Sequence, residues 1–401
     1  MISQDTNRQQ SGVRPGYVAA AGVFAIGMMG TTLPTPLYGL YREQIGFSEL
    51  LVTVVFAVYA IGVIAALLIA GDFSDVLGRR PILLCALGLA ALSALCFLSE
   101  GGLPLLFAGR VLSGLSAGLL SGTGTAAVLE LAPAGRRARA GFAATAANIG
   151  GLGLGPLTAG ALAEYAPWPL RLPFLMHLAL LVIAVAVTWL LPETVHRSGE
   201  RRPLRPQGMV VPAEVRGVFA PSALAAFAGF SLLGLFTAVA PAFLSETLGV
   251  HNLAVSGAVV FSVFCASTVG QLLMSRVSAR RALPVGCLVL VAGLLLVGVS
   301  LLLASLPFLL VGAVAGGIGQ GLAFRAGLTV VSTAAPETRR GATISAFFVV
   351  AYGGISVPVI GVGALTMALG LRNAGLVFAG CVMVLAAGAG GHLWRRPAVE
   401  A

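Results

Sequence analysis

Few residues in this chain can do chemistry, and most of them are set in apolar sequence. The densest group is the run Gly71-Asp72-Phe73-Ser74-Asp75-Val76-Leu77-Gly78-Arg79-Arg80-Pro81, with two acids and two arginines between long apolar stretches. Gly71 and Gly78 permit a tight turn and close helix approach, and Asp75 can accept arginine hydrogen bonds. Arg110 and Arg325 are isolated cations inside apolar segments. In a bilayer such a charge costs at least about 2.5 kcal/mol, so each should face a cavity or a partner. Snorkelling to the headgroups is the alternative for Arg110, and pairing with helix carbonyls is the alternative for Arg325.

Two enzyme-like patterns are excluded by their context. Gly114-Leu115-Ser116-Ala117-Gly118 fits G-x-S-x-G, and Gly122-Thr123-Gly124-Thr125-Ala126-Ala127 fits G-x-G-x-x-A. Each motif needs a strand entering a turn before a helix. Here both lie within one continuous apolar stretch, where small residues at every fourth position mean helix packing. No enzyme activity is expected. The five cysteines (Cys85, Cys96, Cys265, Cys287, Cys381) have neither C-x-x-C nor metal-ligand spacing and read as apolar packing residues. The four histidines fall at span edges or in loops, and His177, nearest the membrane, reads as interfacial rather than as a proton relay.

The elements that hold these residues follow from composition. Of 401 residues, 58% are hydrophobic and only 9% charged, with mean hydropathy +0.99. Soluble domains carry roughly 25% charged residues, and folding this chain in water would expose large apolar patches. An all-α integral membrane protein is the reading. The net charge of +10 is carried by 24 basic residues, all arginine. Their clustering in alternate loops makes the charge a sign of topology and of attraction to anionic lipid, and excludes a nucleic-acid partner.

A spanning helix needs about 20 mostly apolar residues. Twelve such segments are expected, at 16–40, 48–70, 81–99, 103–131, 141–163, 171–191, 218–243, 253–275, 284–304, 306–333, 342–367 and 373–393. The polar first fifteen residues, followed by a stretch long enough to span, argue against a cleavable signal peptide. With both termini in the cytoplasm, only Arg42, Arg171 and Arg372 fall outside, Arg110 and Arg325 lie within spans, and every other arginine is inside. The polar stretch 196–217 reads as a cytoplasmic linker between a six-helix half at 1–195 and a second at 218–401. The halves repeat. One offset pairs Gly109 with Gly312, Gly114 with Gly317, Gly118 with Gly321 and Gly124 with Gly327, then Ala132-Pro133 with Ala335-Pro336 and Arg136-Arg137 with Arg339-Arg340. Tandem six-helix halves are a secondary-transporter architecture.

On these residues the chain resembles the major facilitator superfamily, in particular its twelve-span drug/proton antiporters. Gly71-x-x-x-Asp75-x-x-Gly78-Arg79-Arg80 matches the motif between that family's second and third spans, which latches the halves on the cytoplasmic side and reaches an acid at the end of the fourth span, here Glu130. Val76 departs from the family's usual basic residue. Arg110-x-x-x-Gly114-x-x-x-Gly118 resembles the fourth-span motif, whose arginine is linked to proton coupling or substrate. Gly151-x-x-x-Gly155-Pro156-x-x-Ala159-Gly160 resembles the fifth-span antiporter motif, with Ala159 in place of a glycine; the proline should bend the span.

The resemblance implies alternating access around a cavity lined by spans one, four, seven and ten. Their candidate residues are Thr32, Arg110, Ser113, Phe227, Phe230, Phe236, Thr237, Gln320, Phe324 and Arg325. Two arginines without a central acid suit an amphipathic or anionic organic molecule. Export of a drug or metabolite from a bacterial cell, across the inner membrane, is the expected function, with the protein working as a monomer in lipid. No cofactor or metal is expected. With no Walker sequence, the energy source is an ion gradient, and the resemblance makes it a proton gradient. No carboxylate stands at mid-membrane, since Asp72, Asp75, Glu130, Glu164 and Glu246 all lie near span ends. Uptake or facilitated diffusion of a metabolite, anionic ones included, stays open, as does a non-transporting membrane sensor of the same fold.

Overall fold

The computed structural model describes residues 16–70, 73–195, 208–274 and 277–395. Gly71, Asp72 and most of the expected linker (196–207) lie outside the described residues. Among the described residues the regular structure is helical, as hydrocarbon demands, because a spanning backbone has no water to satisfy its N–H and C=O groups. The first half comprises α1 (Gly16–Thr32), α2 (Tyr38–Ile45), α3 (Glu49–Ala70), α4 (Phe73–Leu77), α5 (Arg79–Leu98), α6 (Leu103–Glu130), α7 (Arg137–Tyr165) and α8 (Leu172–Leu190). The second comprises α9 (Arg216–Gly234), α10 (Ala240–Ala242), α11 (Leu253–Leu273), α12 (Ala279–Leu303), α13 (Leu306–Ala334), α14 (Arg340–Leu369) and α15 (Leu371–Arg395).

Eleven spans among the described residues are long and apolar enough to cross a membrane. The twelfth expected span, α7, is a 29-residue helix that is not among them. Its glycines, threonines, asparagine and internal proline dilute its hydropathy. It nonetheless packs between α1 of its own half and α11 of the other.

The first span of each half is interrupted. Pro34 and Pro36 carry no N–H, so the ladder of α1 stops and a 3₁₀ turn at Thr35–Leu37 leads into α2. In the second half, α9 passes into π turns at Leu235–Val239 and Phe243–Thr247, on either side of the short α10. Such turns concentrate at functional sites. The repeat is also visible in packing. Gly114 and Gly118 of α6 lie against Tyr59, Val63 and Ala66 of α3, while their partners Gly317 and Gly321 of α13 lie against Val263 and Ser267 of α11.

One face of the bundle carries the arginine-rich loops after α4, α6 and α13. Toward the opposite face the halves meet closely. The Gly257 position of α11 lies against the Pro156 carbonyl of α7, Gly160 lies against the Leu253 carbonyl, and Gly363 of α14 abuts Thr53 of α3. Ser356 Oγ donates to the Ala57 carbonyl at 3.2 Å. A side chain at Gly257 has no room in this seam. Gly257→Val is expected to prop it apart and increase several-fold the labelling of a Ser256→Cys variant by an impermeant maleimide, in a background stripped of native cysteines. Unchanged labelling would mean that the α7–α11 seam is not what closes this face.

Candidate functional site: a two-half cavity closed at one end

Between the halves lies a cavity of about 680 Å³, within the size range of sites for small organic ligands. It runs from Thr31, Thr32 and Arg110 to Ala70, Leu129, Gly141 and Gly341 at the arginine-rich face. Seven of the expected residues line it: Thr32, Arg110, Phe230, Thr237, Gln320, Phe324 and Arg325. Three do not. Ser113 faces a small void behind Arg110, Phe236 is buried in the core, and Phe227 offers its backbone to Gly354 of α14. Choosing spans cannot settle which side of a span faces inward, and lipid-facing and packed sides are both apolar.

The lining also includes residues from spans outside the expected set. Tyr59 and Phe56 come from α3, Asn148 from α7, Gln271 from α11, and Phe348 and Tyr352 from α14. Phe230, Phe324, Phe348 and Tyr352 form a connected aromatic wall, with centroids 5.1 Å apart for Phe230–Phe324 and 5.6 Å for Phe230–Tyr352. Tyr59 meets Tyr352 edge-on at 6.3 Å, joining the halves. A polar residue in an apolar stretch (Asn148, Gln271) was the one available signal for this group.

Arg110 is only 1% exposed. One terminal nitrogen donates to the Thr31 carbonyl at 2.5 Å and the other to the Phe56 carbonyl at 3.2 Å. The guanidinium also lies 4.7 Å from the Tyr59 ring centre and 5.2 Å from that of Phe56. Snorkelling is therefore excluded: the charge is turned inward and held by carbonyls and π-faces. Its Nε has no hydrogen-bond partner among the described residues. Thr32 Oγ1 donates at 2.6 Å to the Leu152 carbonyl, the acceptor that Pro156 cannot use because it has no N–H. Instead of breaking α7, Pro156 gives α1 a hydrogen bond. Gln320 accepts from Ser267 at 2.6 Å. Arg325 is exposed to the cavity, and its guanidinium has no ion pair among the described residues. No described lining residue is an acid.

The closed end carries the charged contacts between halves. Arg42 pairs with Glu49 at 2.6 Å and with Glu246 of the second half at 3.3 Å. Glu164 accepts the Leu253 N–H at 2.8 Å, and Asn252 donates to the Tyr165 hydroxyl at 3.2 Å. In the neighbouring loop, hydrogen bonds from Gln44 and Arg171 hold the Glu100 carboxyl below its ordinary pKa.

At the arginine-rich face, Arg79 binds Asp75 at 2.5 Å and grips Glu130 through two nitrogens, at 2.8 and 3.2 Å. Glu193, absent from the expected set, accepts the Arg79 and Arg80 N–H groups at 2.8 and 3.0 Å and so caps α5. Gly78 has φ +105°, and a Cβ there would strike this carboxylate. Arg80 stacks over Trp189 at 4.5 Å. These contacts fall within the first half, tying α4 to α5, α6 and the segment after α8. Among the described residues, no ion pair joins the halves at this face, where the expected latch would lie.

Two readings of single residues are corrected. His177 is not interfacial but buried among α1, α5 and α6. Of the cysteines, Cys287 is buried in the packing, while Cys85 and Cys381 are on the bundle's outer surface. No group of three or more His, Cys, Asp or Glu able to hold a metal occurs among the described residues.

The Major Facilitator Superfamily model matches residues 20–295. The chain belongs to that superfamily. A Salmonella typhi relative named "Putative multidrug resistance protein MdtD" is 29% identical over 176 residues, 44% of this chain and 37% of that protein. This chain thus matches little more than a third of that relative's length. Among solved superfamily folds, a bacterial homologue of the human lysosomal transporter Spinster, in an inward-facing and occupied conformation, superposes with TM-score 0.72 at 17% identity, covering 96% of this chain and 98% of that one. The peptide transporter POT gives TM-score 0.76 at 14% identity, covering 95% and 94%.

The two cavity arginines should separate in their thermodynamics. Arg110→Ala removes two charge-assisted hydrogen bonds, to the Thr31 and Phe56 carbonyls, and is expected to lower stability by about 1–3 kcal/mol, whereas Arg325→Ala should stay within about 0.5 kcal/mol. Arg110→Lys should recover little, since an ammonium lacks the planar fork that spans two helices. Thermal unfolding of the purified variants in detergent measures all three.

Proposed function

We propose that this superfamily member exports small amphipathic organic compounds, anions above all, by alternating access with proton exchange. One observation carries the reading: a cavity built from both halves is sealed at one end by cross-half contacts and open at the other. Sliding the halves about that cavity exchanges the Arg42–Glu246 closure for one at the arginine-rich face. The positive-inside rule makes that face cytoplasmic, so the conformation described here is the one that loads from the cell. The likeness to a named multidrug resistance protein supports export of foreign or secreted compounds.

The substrate class follows from charge and shape. The described lining offers two arginines, no acid and an aromatic wall. An aryl sulfonate or carboxylate would meet rings along its apolar body and Arg325 at its charged end. A lipophilic cation would find the same rings but be repelled by both arginines, with no acid among the described lining to offset them. One-for-one exchange of an outgoing monoanion for an incoming proton moves two positive charges inward, about 4.6 kcal/mol per 100 mV of inside-negative potential.

The test uses inverted vesicles with an acid interior and a pH-sensitive dye. Naphthalene-2-sulfonate, charged at every working pH, should dissipate the gradient, while ethidium and tetraphenylphosphonium should not. Arg325→Ala should weaken the sulfonate response about tenfold, a loss of about 1.4 kcal/mol of binding. Labelled sulfonate flux without proton movement would remove the antiport reading. Flux of the cations alone would remove the anionic one.

A further inference from the structure

Proton exchange needs a group that binds and releases a proton, and no acid among the described residues lines the cavity. His177 lies on α8, five residues in from the helix start at Leu172, or about 7.5 Å along the axis. It is 1% exposed, and neither ring nitrogen has a hydrogen-bond partner among the described residues. At ordinary pH a buried imidazole carries at least one N–H, and leaving it unpaired costs about 1–3 kcal/mol. So costly an arrangement calls for a ligand.

The ring faces a void of about 10 Å³, close to the smallest space that holds one water. Four hydroxyl residues line it: Thr31 of α1, Ser93 of α5, and Ser113 and Ser116 of α6. Each donates its hydrogen to a backbone carbonyl, those of Met28, Gly109, Arg110 and Ala86 respectively, at 2.7 to 2.9 Å. Their oxygens can therefore only accept. A water in the void can accept from one imidazole N–H and donate to these oxygens, which leaves the other ring nitrogen to take or give a proton. The void's other walls contribute glycine, alanine and phenylalanine, with no acid or base from α1, α5 or α6. The charged side chain nearby is Arg110, whose guanidinium binds the Thr31 carbonyl on the far side of the same turn.

That turn links the void to the cavity. Thr31 lines both, and a Cβ on its neighbour Gly30 would collide with His177 Nε2. A proton arriving on the ring puts a second positive charge behind the wall that Arg110 braces. We infer that His177 is the group that carries the exchanged proton, taking it on a free ring nitrogen from the outer side and releasing it toward the cell. The inference rests on the proton-exchange reading above.

Proteoliposomes carrying wild type, His177→Asn or His177→Gln separate the two. Gradient-driven accumulation of naphthalene-2-sulfonate, and the proton movement that accompanies it, should fall about tenfold or more in both variants. Sulfonate-for-sulfonate exchange without a gradient, which needs no net protonation, should persist. Variants that still accumulate sulfonate against its gradient overturn the assignment to His177 and leave exchange standing. A wild type that moves no protons overturns the exchange reading and the assignment together. Should neither variant reach the membrane, a chain keeping His177 as its sole histidine, labelled with ¹⁵N, can be titrated by NMR. Added sulfonate is expected to shift the imidazole's midpoint, and an unmoved midpoint overturns the inference.

Discussion

A buried guanidinium with no carboxylate partner among the described residues organises the first half of this protein. Arg110 cannot shed its charge, and a bare cation in hydrocarbon is unstable, so backbone has to supply the compensating dipoles. The Thr31 carbonyl comes from the last turn of α1, which ends at Thr32, and the Phe56 carbonyl from α3. Two aromatic faces complete the cradle. One side chain on α6 thereby fixes the ends or flanks of two other helices, and with them the closed end of the cavity.

Around that point the structure divides its labour by chemistry. Glycine seams bring helices close inside each half and across the closed face, where any side chain would intrude. Ion pairs stay near the two ends. Arg42 with Glu246 joins the halves at one end, while Arg79 with Asp75 and Glu130 stiffens a single half at the other. This asymmetry matches a transporter at one extreme of its cycle, in which the closed gate is cross-linked and the open gate's charges turn to partners in their own half.

Much of this was legible in the residues alone. Apolar runs of spanning length, alternating arginine-rich loops and a glycine register shared by two halves lead to a twelve-span tandem repeat, although glycine and proline make α7 a poor span by hydropathy. The Arg79–Glu130 pair was also foreseeable, as was the placing of Arg110 and Arg325 at the cavity. Glu193 was not, because it caps α5 from more than a hundred residues away. Tyr59, Phe348 and Tyr352 were equally hidden. A tyrosine or phenylalanine in an apolar helix looks the same whether it faces lipid, core or cavity.

The sequence by itself determined the solvent of this protein, its spans, the internal repeat and the rarity of charge at depth, because each depends only on composition and spacing. Tertiary structure decided which face of each helix lines the cavity, which end is shut, and that His177 is buried rather than placed at an interface. The reason is physical. In water, the apolar face of a helix reveals its inner side, but in a bilayer both sides are apolar, so inside and outside are assigned only when helices pack against one another.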